Sequence, residues 1–188
     1  MSQEIAITFA EGGYGKVYMI MNTNSDRLYA RKIYKEKVDG DKYYNREITN
    51  FEFLKNSYGF VRLISQKKEN DTNMVDMDFI TGGSLTEILA HIRDDVSIDG
   101  FDKTQEIIIA YGISYLISKL HRYGIIHRDI KPSNILLDHD LRPYIADLGF
   151  ARKYSLDSDM THVGSPNYCA PEVFNEAKKI SIKSDVYM

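Results

Sequence analysis

The stretch from His127 to Leu137, His-Arg-Asp-Ile-Lys-Pro-Ser-Asn-Ile-Leu-Leu, constrains this chain more than any other. It places a carboxylate (Asp129), a cation (Lys131) and an amide (Asn134) close together, before an apolar run that enters the core. A carboxylate can orient and deprotonate a hydroxyl, an ammonium can neutralise a moving phosphoryl group, and an amide oxygen can hold a metal. Asp147 follows in an Asp-Leu-Gly turn as a second candidate metal ligand. This order of groups favours phosphoryl-transfer chemistry.

The composition is that of an ordinary globular protein, and its charge distribution limits the classes of binding partner that we expect. Of 188 residues, 43% are hydrophobic and 27% charged, with a net charge of −3. Because no strongly basic or acidic block occurs, we expect no nucleic-acid or membrane partner. The single cysteine, Cys169, excludes an intrachain disulfide and predicts a reducing, cytoplasmic location. The apolar runs are too short to span a bilayer, and the N-terminus lacks the pattern of a signal peptide.

A glycine-rich segment near the N-terminus predicts a hairpin. A strand over residues 5–9 is followed by Ala-Glu-Gly-Gly-Tyr-Gly-Lys-Val at positions 10–17 and by further apolar residues. Glycines allow a tight turn whose backbone N–H groups can approach phosphates. The order strand, loop, strand differs from a Walker A loop, which leads into a helix and ends in Gly-Lys-Ser/Thr. A hairpin without a ligand is the alternative.

The next two segments predict a strand and a helix. Residues 28–34 alternate as a strand does, so Lys32 shares a face with Ala30 and Tyr34. A helix follows to about residue 56, with Asp41 as its N-cap and Glu47 beside its apolar face. Glu52 on the same helix competes with Glu47 as a partner for the lysine.

Further elements are predicted by alternation, caps and stop signals. Residues 60–66 and 73–80 are predicted strands, joined by a polar turn over 67–72. Ser84 and Glu87 form a capping box that opens a short helix over 85–93. A long helix over 104–123 carries one apolar stripe and ends at Gly124.

Taken together, these motifs resemble those of eukaryotic protein kinases. The stretch around Asp129 is similar to H-R-D-x-x-x-x-N, and residues 147–149 are similar to D-F-G, with Leu148 in place of Phe. Positions 10–17 are similar to G-x-G-x-x-G-x-V, except that Ala10 replaces the first glycine. Residues 170–172 resemble the A-P-E end of the activation segment.

The resemblance implies transfer of the ATP γ-phosphoryl group, with Mg2+, to serine or threonine hydroxyls of a protein substrate. Asp129 would be the catalytic base and Lys131 would stabilise the γ-phosphoryl group. Asn134 and Asp147 would hold the metal. In the family, Lys131 within the loop and Gly-Ser-Pro at 164–166 are typical of serine/threonine rather than tyrosine specificity.

The resemblance also assigns the nucleotide contacts. Lys32, held by Glu47, would position the α and β phosphates. Met77 would be the gatekeeper at the hinge between two lobes, where backbone groups of Asp78 and Ile80 would face adenine. The other nucleotide-binding candidates lie in the hairpin, on the Lys32 strand and after the catalytic loop, and they are Ala10, Glu11, Gly12, Gly13, Tyr14, Gly15, Val17, Ala30 and Leu136.

The implied fold is α+β and bilobal. A small antiparallel-sheet N-lobe with one helix would cover about residues 1–80, and a partial, mainly helical C-lobe would cover about 81–188. In the family, Ser-Asp-Val (here 184–186) opens a central helix, and Asp185 would brace the catalytic loop. We therefore expect a kinase domain that is incomplete at its C-terminus, with apolar residues of 104–123 and 135–145 partly exposed. The rival hypothesis is an inactive nucleotide-binding fragment or one that pairs with another kinase.

The resemblance finally suggests regulation. Thr161 lies three residues before Gly164, where many kinases carry an activating phosphothreonine, so an activating kinase is a possible partner. Arg128 could pair with such a phosphate. Ser155 and Ser158 are weaker candidates for modification.

Overall fold

The computed structural model describes residues 4–13, 15–35, 40–94, 101–154, 164–174 and 180–188. The chain divides into two compact units, Met1–Phe79 and Ile80–Met188. The first contains an antiparallel sheet with one helix, and the second is mainly helical with short strands. The predicted α+β class is confirmed.

The first unit is built on a five-stranded antiparallel sheet with the order β1-β2-β3-β5-β4. Its elements are β1 (Glu4–Glu11), β2 (Gly15–Asn22), β3 (Arg27–Tyr34), α1 (Gly40–Leu54), β4 (Leu63–Glu69) and β5 (Thr72–Asp78). At the edge of the sheet, β1 is exposed along its whole length. Strand β1 is longer than the predicted strand over residues 5–9 and ends at Glu11. Ala10 and Glu11 therefore lie in a strand rather than in the turn.

Strand β3 has the predicted alternation. Ala30, Lys32 and Tyr34 are all buried on one face. Helix α1 contributes Phe51 and Leu54, each 2% exposed, to the core of this unit. Burial of such side chains is the main favourable contribution to folding. The side chain of Lys32 therefore extends from the sheet into an apolar environment, where its charge requires a partner.

Several boundaries in this unit differ from prediction, since the predicted strands over 60–66 and 73–80 lie at Leu63–Glu69 and Thr72–Asp78, and α1 ends at Leu54 rather than near residue 56. Asp41 is not an N-cap, because it lies within α1 and its carboxylate accepts a hydrogen bond from the Asn73 side chain at 2.6 Å. The connection between β4 and β5 is shorter than the predicted turn over 67–72. Asn70 and Asp71 alone form it, with φ values of 48° and 61°. Asn and Asp tolerate this left-handed conformation, which two-residue hairpin turns require.

The second unit contains helices joined to short strand pairs. Its elements are α2 (Leu85–Arg93), α3 (Lys103–Arg122), β6 (Ile125–Ile126), a 3-10 turn (Pro132–Asn134), β7 (Ile135–Leu137), β8 (Pro143–Ile145), β9 (Arg152–Lys153), a second 3-10 turn (Pro171–Phe174) and α4 (Ile182–Tyr187). Strand β6 pairs with β9, and β7 pairs with β8, both antiparallel. Both strand pairs flank the segment that carries Asp129.

The helix signals of this unit are confirmed. Ser84 and Glu87 form the predicted capping box of α2. The apolar stripe of α3 is buried at Ile109 and Leu120, which are 3% and 0% exposed. Gly124 follows the helix with a φ of 71°, a conformation that glycine adopts at little cost. The chain therefore turns directly from α3 into β6 and the loop that carries Asp129.

The expectation of partial exposure holds for the long helix and, on the two strands, for Leu136 and Tyr144. On α3, Ile107 and Tyr111 are 70% and 73% exposed. In contrast, Ile135, Leu137 and Ile145 are at most 2% exposed. Leu137 is buried because it packs in a cluster with residues of α2 and α3.

Candidate functional site

The glycine-rich hairpin of the first unit is the first candidate. Gly12 donates its amide to the carbonyl of Gly15 at 2.9 Å, which closes the turn between β1 and β2. A Cβ on Gly12 or Gly13 would meet nothing within 4 Å, whereas one on Gly15 would lie 2.5 Å from the carbonyl oxygen of Ile33. Gly15 is thus required by packing, and the other two glycines leave the tip open for a ligand to approach. Tyr14 lies outside the described residues.

The flanks of the hairpin hold the remaining members of the motif. A register shift between Thr8 and Ala10 lets Ala10 pair with Val17. The carboxylate of Glu11 contacts Lys35 at 2.9 Å and Lys16 at 3.3 Å. Hydrogen bonds from Lys35 and then Lys16 hold the pKa of Glu11 below its usual value. These exposed contacts tie the base of the turn to the end of β3.

Lys32 and Glu47 form a buried ion pair in the first unit. Lys32 Nζ lies 2.7 Å from Glu47 Oε2, and the two residues are 9% and 1% exposed. The structure brings Lys32 together with Glu47 rather than with Glu52, whose carboxylate contacts Lys55 at 3.3 Å on the surface. A buried pair fixes the ammonium group in one position, which suits it for binding phosphate.

Tyr34 belongs to the same cluster, although sequence reasoning gave it no role. Its hydroxyl donates to Glu47 Oε2, the oxygen that also accepts from Lys32. The ammonium of Lys32 lies 5.1 Å from the centre of the Tyr34 ring. The sequence did contain one indication of this role, because Tyr34 lies two residues after Lys32 and therefore on the same face of the strand.

The hinge candidates lie at the end of the first unit and the start of the second. Ala30 is opposite Met77 in the β3–β5 register. The amide of Asp78 donates to the carbonyl of Arg62 at 3.0 Å, and its carboxylate contacts the Arg62 guanidinium at 2.7 Å. Ile80, the first residue of the second unit, is half-buried outside any helix or strand.

Asp129 is the centre of the polar cluster in the second unit. It is 2% exposed. Its Oδ1 accepts the amide of Ser165 at 2.8 Å, and its Oδ2 lies 2.9 Å from Asn134 Nδ2 and 2.8 Å from Lys131 Nζ. Lys131 also donates to the Ser165 hydroxyl at 2.6 Å. These three donors fix the orientation of the carboxylate.

Oxygen ligands for a metal are present in this unit. Asn134 donates Nδ2 twice to Asp129, to the carbonyl oxygen at 2.8 Å and to the carboxylate, which leaves its amide oxygen as the atom suited to a cation. Asp147 is half-buried with a φ of 57°, in the turn before the fully buried Leu148. Carboxylate and amide oxygens are the ligands that Mg2+ prefers, so these residue types fit a magnesium ion. Leu136 lies on β7, opposite Tyr144.

Asp185 braces the start of the His127–Leu137 stretch, the contact that the sequence predicted. It accepts the backbone amides of His127 and Arg128, each at 2.8 Å, and its carboxylate lies 2.8 Å from His121 Nε2 on α3. Arg128 has a φ of 70° and is fully buried. Because a non-glycine residue adopts this conformation only when its surroundings enforce it, the two amide bonds explain how the loop is held.

The activation-segment candidates are only partly described. Arg128 directs its Nε to the carbonyl of Phe150 at 2.7 Å. Thr161, Ser155 and Ser158 lie outside the described residues. Cys169 is 9% exposed, and burial followed by the negative charge of Asp129 raises the pKa of its thiol, which supports a packing role rather than a nucleophilic one.

Comparison with known proteins agrees with this arrangement. The family described as Protein kinase domain matches residues 6–188. Over 94% of its length, the chain is 31% identical to the serine/threonine-protein kinase CDG1 of Arabidopsis thaliana. Over the same share it is 33% and 32% identical to the cysteine-rich receptor-like protein kinases 18 and 5 of that plant.

The chain spans 41% of the length of the first of these relatives and 27% of the other two. Within the part of the chain that the structure describes, no helix is both long and apolar enough to cross a membrane. The family match covers both units and includes the glycine-rich hairpin, Lys32, Glu47 and the Asp129 loop. The chain therefore belongs to the protein kinase family.

Proposed function

We propose that this chain transfers the γ-phosphoryl group of ATP to serine or threonine hydroxyls of protein substrates. The observation that carries the proposal is the fixed orientation of the Asp129 carboxylate, which the Ser165 amide, Asn134 and Lys131 all contact. A carboxylate held in this way can accept the proton of a substrate hydroxyl and point its oxygen towards a phosphorus atom. Lys131 neutralises charge that develops on the transferred group.

The other candidate residues bind and orient the nucleotide in this proposal. Lys32, paired with Glu47, holds the α and β phosphates, and the glycine-rich turn, which has no side chain at Gly12 or Gly13, lets the phosphates approach the backbone closely. Asn134 and Asp147 are the residues that would hold Mg2+. When bound, Mg2+ supplies charge neutralisation at the phosphates. The family resemblance assigns the adenine contacts to main-chain groups of Asp78 and Ile80 and to Met77, Ala30 and Leu136, and the proposal keeps that assignment.

Serine or threonine specificity rests on the contact between Lys131 and Ser165. Lys131 bridges the Asp129 carboxylate and the Ser165 hydroxyl, which fixes the start of the Ser165–Glu172 segment next to the proposed base. We also propose that residues 1–188 form a kinase domain with an N-lobe over about residues 1–80 and C-lobe elements over about 81–188. Phosphorylation of Thr161 by an activating kinase and a reducing, cytoplasmic location belong to the same proposal.

The test is radiolabel transfer from [γ-32P]ATP to dephosphorylated casein. Asp129→Asn is expected to lower the rate by about 10²- to 10⁴-fold, the range typical for loss of a general base. Lys32→Met is expected to abolish transfer, and chelation of Mg2+ by EDTA should do the same. Asp140→Asn, which changes an exposed carboxylate of the same unit, is the matched control. Wild-type rates in Asp129→Asn or Lys32→Met would refute the proposal, and nucleotide binding without any transfer would favour a binding fragment.

A further inference from the structure

We propose that Tyr34 is a positioning residue that aligns α1 so that Glu47 holds Lys32 for nucleotide binding. The inference deepens the proposed function and rests on it. Its basis is a closed three-residue cluster in the first unit. Glu47 Oε2 accepts from both Lys32 and the Tyr34 hydroxyl, and the Lys32 ammonium lies over the Tyr34 ring at 5.1 Å. Each member thus contacts the other two.

Burial makes the hydroxyl important. Lys32, Tyr34 and Glu47 are 9%, 4% and 1% exposed, so water contributes little to solvating the pair. A buried ion pair is maintained only if further hydrogen bonds satisfy the charged atoms. The Tyr34 hydroxyl provides such a bond to the carboxylate. The ring provides a second contact to the ammonium through its negative face.

The same tyrosine also contacts α1 one helical turn earlier. Its ring packs edge-to-face on Tyr44, with centroids 5.3 Å apart and an angle of 82° between the planes. Tyr44 and Glu47 are three residues apart and therefore lie on neighbouring positions of one helix face. By touching both, Tyr34 fixes the rotation of α1 about its axis relative to β3, and that rotation decides whether Glu47 faces Lys32.

A purely structural tyrosine would have a different signature. Its ring would fill the space, and its hydroxyl could be removed without effect on Lys32. Here the hydroxyl is directed at the oxygen that binds the ammonium. Tyr34→Phe separates the two roles because it keeps both ring contacts and deletes only the hydroxyl. Tyr44→Phe is the matched control, since its hydroxyl contacts the neutral side chain of Gln66 at 3.0 Å.

The experiment measures the rate of phosphate transfer and the NMR signal of the Lys32 ammonium group, both in the full chain. With casein as acceptor, Tyr34→Phe is expected to lower kcat/KM for Mg·ATP by about tenfold, the scale of one lost hydrogen bond to a buried charge. The KM for casein should stay unchanged. In 1H–15N spectra at low temperature, the Lys32 ammonium signal, assigned by its absence in Lys32→Arg, should shift or be lost in Tyr34→Phe. Tyr44→Phe should match the wild type in every measurement.

A double-variant comparison tests the route of the effect. If the hydroxyl acts through Glu47, Tyr34→Phe combined with Glu47→Ala, which has no oxygen to accept the hydroxyl, should be no worse than Glu47→Ala alone. Additive losses would overturn the proposal, as would a Tyr34→Phe variant with unchanged kcat/KM for ATP. If the wild type transfers no phosphate, the proposed function fails. The NMR signal of the Lys32 ammonium group still tests the role of Tyr34 in that case. A changed signal in Tyr34→Phe supports alignment by Tyr34, and an unchanged signal overturns the proposal.

Discussion

Strand β3 carries an ion-pair cluster on each of its two faces, and the two clusters are built differently. On one face, Lys32 pairs at 2.7 Å with Glu47 from helix α1. On the other face, Arg31 contacts Asp76 on β5 at 2.6 Å and Glu4 on β1 at 2.8 Å. The first cluster thus joins a strand to a helix, whereas the second joins three strands of one sheet.

The difference lies in what fixes each pair. Arg31 and Asp76 are directly opposite in the β3–β5 register, so backbone hydrogen bonds hold them together. Glu47 reaches Lys32 only through the packing of α1 on the sheet. We infer that the Arg31 cluster stabilises the sheet, whereas the Lys32 cluster depends on the position of one helix. Changes to the helix should therefore affect the proposed phosphate-binding lysine first.

The largest expected effect comes from breaking the Lys32 pair. Glu47→Ala leaves a buried ammonium without its carboxylate, which should lower the free energy of unfolding by about 3–5 kcal/mol. Glu52→Ala, at the exposed competitor on the same helix, should change it by less than about 0.5 kcal/mol. Urea unfolding followed by circular dichroism measures both. Equal effects of the two variants would contradict the assignment of Glu47 as the partner.

A double replacement sharpens this result. In Lys32→Met with Glu47→Gln, this cluster no longer contains a charged side chain, and the glutamine oxygen can still accept from Tyr34. Much of the lost stability should therefore return, while phosphate transfer should remain absent. A double variant as unstable as Glu47→Ala would show that packing, rather than the unpaired charge, causes the loss.

Disruption of the Arg31 cluster should have an intermediate effect. Asp76→Ala removes the carboxylate that accepts two bonds from Arg31, at 2.6 and 3.0 Å, and should cost about 1.5–3 kcal/mol of unfolding free energy. Phosphate transfer should change little, because this face of β3 does not carry Lys32. Asp78→Ala on the same strand, whose partner Arg62 is 65% exposed, should cost less than about 1 kcal/mol. Loss of phosphate transfer in folded Asp76→Ala protein would contradict the proposal that only the Lys32 face of β3 serves the nucleotide.

Acid should weaken the Glu4 contact. A hydrogen bond from Arg31, and then one from Tyr29, lowers the pKa of Glu4 below its ordinary value of 4.5. A lowered folded-state pKa contributes stability above the unfolded pKa and loses it as the pH falls through the folded value. Glu4→Gln should therefore cost about 0.2–1 kcal/mol at pH 7 and nothing in acid well below 4.5. Melting temperatures across pH measure this, and a gap that widens in acid would contradict it.

The smallest effect is expected at the base of the glycine-rich hairpin. Lys35 and Glu11 are 35% and 50% exposed at their side chains, so their contact is screened by water and salt. Lys35→Ala should leave the melting temperature almost unchanged, and any difference should vanish in 1 M NaCl, where the screening length is about 3 Å. A large, salt-independent loss would show that Lys35 stabilises the hairpin through its hydrogen bond to the Gly12 carbonyl.

Local signals in the sequence predicted most of the elements. The Ser84–Glu87 capping box, the α3 stripe and the stop at Gly124 are interactions within a few residues, so they can be read from spacing alone. One error fell where a distant partner competes with local preference. Asp41 has the side chain of an N-cap, yet it bonds to Asn73, which is far away in sequence.

The sequence by itself determined the family and the identity of the candidate groups, because the order of Asp129, Lys131, Asn134 and Asp147 is a property of the chain. It also placed Lys32 on one face with Tyr34, because strand side chains alternate. The family resemblance named Glu47 as the partner of Lys32, but only the tertiary structure showed that packing buries this carboxylate at the ammonium and leaves Glu52, an acid on the same helix, on the surface. It likewise revealed that Tyr34 and Lys32 share one oxygen of Glu47, a contact that requires a strand and a helix to be packed together.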